Sequence, residues 1–352
     1  MSTRSGILAR ATRATEHTLV RHLALAAIGL VLVVVVIESS SAFRHTQLTE
    51  MAYFGIAAGG LTVLTGINGQ LSLGHGALMA IGAYTAALLL QGPEPAVPVV
   101  GVLVAATLVT LAIGAVIGVA AARLHGPYIA GATLALAIAV PGIALYFDGT
   151  LGGEQGLNVR VPDVPGWFAD LVFFLTAHDL TSGKYVAYLG WLSLVVAFVL
   201  LANLARSRVG RTWRAVRDDP VAAEIAGIDL ARARVLAFVV SAACAGLAGG
   251  VMALAVRLTA PSGFTLVLSL TLIAAVVLGG LGSLFGALIG AALVTFLHPW
   301  VTGLGQDAGL SDIRAAELAP LVYGVVMVLV ILLAPAGIVG TVRGWRQRRR
   351  AA

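Results

Sequence analysis

Four polar residues, Asn68, Gln70, Ser72 and His75, crowd into one short stretch between two apolar runs, with Gly66, Gly69, Gly74 and Gly76 among them. Glycine and small polar side chains at this density interrupt a helix. In hydrocarbon, the backbone groups freed by the interruption must find partners inside the protein. Asn68 and Gln70 suit that task, and they equally suit hydrogen-bonding to a polar solute at the break. His75 reads in two ways, as a ring lining a cavity or as a packed ring donating to a backbone carbonyl.

A second group is charged. Residues 217–229 read Arg-Asp-Asp-Pro-Val-Ala-Ala-Glu-Ile-Ala-Gly-Ile-Asp. The Asp219 carboxylate can accept from free first-turn amides. Pro220 fits the first helical position, where its missing N–H costs nothing. Gly227 suits the position just past the last turn. The pattern predicts a helix over 220–226, roughly 10 Å long, with Asp229 capping the next apolar segment. So short a helix is unstable alone. Either it docks a partner, or it rests on the bundle or on lipid headgroups.

Other chemistry is missing from the sequence. A P-loop needs Gly-x-x-x-x-Gly-Lys-Ser/Thr. The single lysine, Lys184, follows Gly183, but positions 178 and 185 are His and Tyr. There is no His-Glu-x-x-His and no carboxylate pair within an apolar run. Cys244 is the only cysteine, so no disulfide framework and no zinc or haem spacing exists. No catalytic group, metal site or cofactor site is expected on this chain.

The elements that position these residues follow from composition. Of 352 residues, 59% are hydrophobic and 11% charged, against about 25% charged in a soluble domain. A soluble enzyme, a disordered chain and a fibrous repeat are excluded. The apolar runs are too long for the alternating strands of an outer-membrane barrel. Crossing the bilayer as a helix takes roughly 20 apolar residues. Candidate spans fall at 19–39, 48–66, 71–91, 97–122, 128–147, 186–205, 233–256, 265–281, 284–301 and 318–339. The expected fold is therefore an all-α polytopic membrane helix bundle of about ten spans, forming one domain over 1–352. With the amino terminus in the cytoplasm, 17 of the 22 Lys and Arg residues fall inside and ten of the 16 acids outside. That bias places both termini in the cytoplasm. The first span also has the basic flank and small residues of a cleavable signal, but the later spans can insert without it.

Three segments lie between or beyond the spans: an external loop over 148–185, a cytoplasmic segment over 206–234, and a basic tail over 340–352. Within the loop, Trp167–Leu175 reads as an interfacial half-helix. The tail arginines suit anionic lipid, without nucleic acid. Glycines four apart (Gly55/Gly59, Gly114/Gly118, Gly246/Gly250, Gly282/Gly286/Gly290) let helix backbones approach closely. Together with Gly279 and Gly280, the last group reads as helix packing or as a gate. Two glycine-interrupted runs, one near each end of the chain, suit a transporter of two related halves. Intramembrane charge is nearly absent, which disfavours an ion-coupled carrier.

Four blocks carry a resemblance: Gly66–Leu89 (GINGQLSLGHGALMAIGAYTAALL), Gly126–Ala137 (GPYIAGATLALA), the string from Gly210 to Gly249, and Val277–Ala292 (VLGGLGSLFGALIGAA). In content and order they resemble the second-type permease subunit of branched-chain amino-acid ABC importers. Ala222, Ala223 and Glu224 with Gly227 resemble, in degenerate form, the docking motif of importer permeases. The external Leu151–Leu157 run keeps the family's glycine pair but differs at its centre. The resemblance implies an inner-membrane permease working with a homologous permease, two ATPase subunits that carry ATP and Mg, and an extracytoplasmic solute-binding protein. It implies coupling through Asp218, Asp219, Glu224 and Gly227, flanked by Arg214 and Arg217. Urea and short-amide permeases share much of the pattern. From the residues alone, a self-sufficient secondary carrier and a scaffold without a transport path also stay open.

The two readings of His75 separate in one variant. If the ring lines the solute path, His75→Leu assembles normally but transports more slowly; normal uptake kinetics would leave it a packing residue.

Overall fold

The computed structural model describes residues 26–92, 97–124, 127–334, 337–342 and 345. The amino-terminal arginines Arg4, Arg10, Arg13 and Arg21, the start of the first span, Glu94, Gly126, Arg343 and Arg346 to Arg350 lie outside the described residues. The described chain is helical apart from one two-residue strand pair. In order it contains α1 (Ala26–Glu38), α2 (Ala42–Leu61) continued by a π-helical turn (Thr62–Ile67), α3 (His75–Leu89), α4 (Val99–Ala121), α5 (Pro127–Tyr146), the short α6 (Asp148–Leu151) and β1 (Leu157–Asn158). There follow α7 (Gly166–Thr176), α8 (Ser182–Arg206), α9 (Arg208–Asp218), α10 (Pro220–Ile225), α11 (Leu230–Val256), β2 (Leu258–Thr259), α12 (Leu266–Gly279), α13 (Leu284–Asp307) and α14 (Asp312–Leu333). Among the described residues, seven helices are long and apolar enough to cross a membrane. The 71–91 run is helical only from His75 to Leu89, 15 residues, or about 22 Å. Its first residues form the break that the polar cluster marks.

α11 sits at the centre and packs against α4, α3 and α2. Its sequence explains how three helices fit around one. Gly246 and Gly250 face α4 at Thr110 and Leu103, Gly249 faces α3 at Met79, and Cys244 meets Gly60 of α2. From the α4 side, Gly114 and Gly118 receive Ala242 and Phe238. On α2, Gly55 and Gly59 receive Leu194 and Phe198 of α8. At these three occurrences the four-residue glycine spacing is thus helix packing. Lipid offers helices no hydrophobic gain from associating, so dispersion at close range and occasional hydrogen bonds hold them together. Ser241 supplies one such bond, donating from Oγ to the Gly60 carbonyl at 2.9 Å.

The bundle has two distinct ends. At one, Arg217 reaches the Gly66 carbonyl, Gln70 reaches the Arg234 carbonyl, and Gly66 meets Gly282. At the other, β1 pairs antiparallel with β2, Lys184 Nζ donates to Glu38 Oε2 at 2.7 Å, Tyr188 Oη donates to Glu38 Oε1 at 2.8 Å, and Arg257 Nη2 donates to Ser182 Oγ at 2.9 Å. α7 packs at this second end, its Phe168 ring edge-on to Tyr185 and Tyr188. Trp167 and Phe174 of α7 stay exposed.

Overpacking a tight core costs about 1–3 kcal/mol, and a Cβ on Gly249 would overlap the Met79 carbonyl. Gly249→Val is expected to lower the melting midpoint of the detergent-purified chain and to broaden its gel-filtration peak. An unchanged midpoint would contradict the α3–α11 contact.

Candidate functional site

The sequence cluster at 66–76 is a helix break built from two half-solutions. On the α2 side the helix widens rather than stops: the Asn68 amide donates to the Val63 carbonyl at 3.0 Å, five residues back, and the Gln70 amide donates to the Leu64 carbonyl at 3.0 Å. π-turns of this kind recur where helices are interrupted for a purpose. Gly69 takes the left-handed conformation (φ +83°) that turns the chain back. Thr65 Oγ1 closes the turn on the Gln70 carbonyl at 3.0 Å. Gln70 Nε2 donates to Asn68 Oδ1 at 2.5 Å and to the Arg234 carbonyl at 3.0 Å, tying the break to α11.

On the α3 side, the first amides would be orphans. Neighbouring helices supply hydroxyls there: Ser269 Oγ of α12 accepts from the Gly76 amide of α3 at 2.9 Å, and Thr133 Oγ1 of α5 accepts from the Leu73 amide just before the helix at 2.9 Å. Ser72 and His75 are wholly buried. Both ring nitrogens of His75 are buried without a hydrogen-bond partner among the described residues. Asn68 and Gln70, by contrast, line a cavity of about 360 Å³ together with Gly69, Arg217, Pro220 and Arg234. The structure therefore divides the four polar residues into two at a cavity and two within the packing.

The charged group is organised as the sequence predicts, one residue shorter. α10 runs from Pro220 to Ile225 rather than to 226, with Ala226 as its C-cap. Asp219 Oδ1 accepts from the Val221 and Ala222 amides, both at 3.0 Å. Gly227 has φ +83°. Its amide donates to the Glu224 carbonyl at 2.9 Å, and the Ile228 amide donates to the Ala223 carbonyl at 3.0 Å, which together make a Schellman closure. Asp229 caps α11 through the Arg232 amide at 3.0 Å. Ala223 is buried, whereas Val221 and Ile225 are 66% and 84% exposed. Glu224 is exposed as well. A helix closed at both ends, with two bare aliphatic side chains, stands at the end of the bundle where α2 breaks.

The two flanking arginines turn inward, not toward that surface. Arg214 Nη2 donates to the Ala205 carbonyl at 2.5 Å. Arg217 Nη1 donates to the Gly66 carbonyl at 2.6 Å, while its Nε and Nη2 hold Asp218 Oδ1 at 2.9 and 2.7 Å. The Arg217–Asp218 pair is well exposed and is worth at most about 1 kcal/mol. The bond to Gly66 satisfies a carbonyl at the end of a helix, and a charge-assisted bond of that type contributes about 1.5–3 kcal/mol.

The sequence reading passed over Trp213. It is fully buried, and its Nε1 donates to the Ala233 carbonyl at 2.9 Å. The available signal was the Gly210, Trp213, Val216 spacing, a buried stripe at helical period within a basic stretch, preceded by Ser207 as N-cap. Thr133 and Ser269 were also missed, because a lone hydroxyl in an apolar helix carries no pattern.

Gly279, Gly280, Gly282, Gly286 and Gly290 build the α12–α13 hairpin. Gly279 abuts Gly286 and Gly290 abuts Ala275, backbone against backbone. Gly280 meets Gly337, and Gly282 meets Gly66 at the α2 break.

A break in α2, a second tight turn pressed on it and a capped helix beside both make an arrangement suited to transmitting motion. The model of one family, described as "Branched-chain amino acid transport system / permease component", matches residues 45–331. The chain belongs to this family. It is 32% identical over 301 residues to the high-affinity branched-chain amino acid transport system permease protein LivM of Escherichia coli (strain K12), covering 81% of this chain and 67% of that protein. It is 28% identical over 305 residues to BraD of Pseudomonas aeruginosa, covering 83% and 93%, and 27% identical over 300 residues to LivH of Salmonella typhimurium, covering 82% and 91%. No solved structure matches. As a permease of this family with seven span-length helices, the chain is a multi-pass inner-membrane protein. The matched region includes the α2 break, α10 and the α12–α13 hairpin.

Truncating a buried tryptophan costs about 3–5 kcal/mol. Trp213→Ala is expected to release α9 and α10 while leaving the bundle folded, seen as faster hydrogen exchange over 208–226 alone. Unchanged exchange there would show that Trp213 does not anchor the segment.

Proposed function

We propose that the chain is the membrane-spanning permease subunit of an ATP-driven ABC importer for branched-chain or related amino acids. The observation that carries this reading is α10, a two-ended capped helix presenting Val221, Glu224 and Ile225 outward beside the α2 break. Asp219 and Gly227 shape the docking helix, and Asp218 orients Arg217. The partners are a homologous permease, two ATPase subunits that hold ATP and Mg, and an extracytoplasmic binding protein. Nothing in this chain's sequence serves to hydrolyse ATP. Exposed apolar faces on α4 and α5 suit lipid or the companion permease.

The reading takes ten spans with both termini cytoplasmic, drawing on α1, α2, α3, α4, α5, α8, α11, α12, α13 and α14 among the described residues. Positions 66, 70, 217, 234 and 282 meet at the end taken as cytoplasmic, whereas 38, 157–158, 182–184 and 257–259 meet at the other. An odd slip in the count would separate these partners. The segment 148–185, which carries β1 and α7, is taken as external and as the surface that receives the binding protein. Asn68 and Gln70, at the cavity, remain the better pathway residues; Ser72 and His75 act from within the packing. The 279–290 glycines serve close packing, and the turn among them lies against the α2 break.

Ile225→Asp puts a charge on the proposed docking face without touching the core. The variant is expected to insert normally but to lose the co-purifying ATPase and, with it, at least tenfold in uptake. An intact complex with undiminished uptake would refute the docking role. ATP-independent uphill uptake by the chain alone in liposomes would refute the importer reading.

A further inference from the structure

Arg217 touches more of this machinery than its position at the end of α9 requires. Its aliphatic stem lies across Gly69, where an added Cβ would stand 2.8 Å from Arg217 Cγ. Its head bonds the Gly66 carbonyl, one residue before the end of the π-turn, at 2.6 Å. Gly66 in turn abuts the Gly282 backbone, and Arg217 Nη1 lies 3.8 Å from the Cβ position of Gly282. Two residues along the chain, Asp219 caps α10. One guanidinium thus bonds the α2–α3 break directly, lies beside the α12–α13 turn that abuts Gly66, and stands two residues before the cap of the proposed docking helix.

The arm that carries it is stiff. Ser207 caps α9 by accepting from the Val209 amide at 3.1 Å, Trp213 is locked to the Ala233 carbonyl, and Arg214 holds the Ala205 carbonyl. Asp218 takes two of the guanidinium donors and so leaves Nη1 aimed at Gly66. Only a planar fork can serve both acceptors at once; an ammonium is a point charge on a flexible stem.

We propose that Arg217 is a positioning residue that carries displacement of α10 to both tight turns, 66–74 and 280–283, so that they move as one unit with the docking helix. A side chain that merely satisfied a carbonyl would contribute stability only. A strut makes the two turns follow α10 and sets how much transport each hydrolysed ATP yields. This rests on α10 being the ATPase-docking element.

The test uses the full complex in proteoliposomes. Arg217→Ala is expected to keep the ATPase bound, unlike Ile225→Asp, and to hydrolyse ATP at a near-normal rate. Its uptake per ATP should fall about tenfold or more. Arg217→Lys should fall between the two. Spin labels in the otherwise unaltered chain, at the exposed positions Ala226, Leu258 and Leu281, give an independent reading. ATP binding should change the 281–258 distance while the 226–281 distance stays constant, and in Arg217→Ala the 281–258 change should vanish. Unchanged uptake per ATP in Arg217→Ala, loss of the ATPase from that variant, or a 226–281 distance that changes while 281–258 does not would each overturn the proposal. If the unaltered chain retains no ATPase at all, the docking role itself fails, and that is seen before any variant is compared.

Discussion

The carbonyls in the last turn of a helix have no intrahelical donor, and at the break of α2 Arg217 supplies one to the Gly66 carbonyl. Nearly everything unusual nearby follows from how that break is satisfied. The π-turn keeps the Asn68 and Gln70 amides bonded backward, five and six residues along. Thr133 and Ser269 supply the acceptors that the start of α3 lacks. Arg217 supplies the donor for Gly66 itself. Removing any of these leaves a polar group at the break without its partner, at a cost of about 1–3 kcal/mol where the group is buried. The break is therefore an over-determined feature, held by four elements that lie far apart in the sequence.

The same constraint explains the glycines. For hydroxyls and backbone groups on different helices to reach one another, the helices must approach more closely than side chains ordinarily allow. α11 achieves this with the run from Ser241 to Gly250, which presents a small face to each of three neighbours. Ser241 then donates to the Gly60 carbonyl, a bond that a larger residue at Gly60 would push apart. Close packing and polar satisfaction are one design in this bundle, because each makes the other geometrically possible.

Much of this was legible in the sequence, for a physical reason. Span positions come from hydrophobic run length, and α10 from three local signals, Asp219, Pro220 and Gly227, whose effects do not depend on what surrounds them. Glycine spacing marked the close contacts without naming the partners. What could not be read is tertiary by nature. No local pattern says that Arg217 faces Gly66, 151 positions away in the sequence, rather than a partner's surface. A basic residue beside a docking motif reads equally as a contact for a partner or as an internal brace. Likewise, Ser72 and His75 look like Asn68 and Gln70 in sequence, and only the fold separates buried packing from cavity wall. The last turn of α10 fell one residue short because Ala226 serves as the cap, not as part of the helix.

The polar groups at mid-chain are largely committed to the protein's own backbone. Gln70 is held by Asn68 and Arg234, while Thr133 serves the Leu73 amide just before α3 and Ser269 the Gly76 amide within it. Asn68 Nδ2 and both ring nitrogens of His75, by contrast, are buried at the break without a hydrogen-bond partner among the described residues. The helices around the break are in backbone contact, and α9, which leads into the capped α10, is bonded to the break through Arg217. Under the importer reading, choice of solute then falls to a subunit outside the membrane and energy to one inside the cell, and the permease contributes the geometry that connects them.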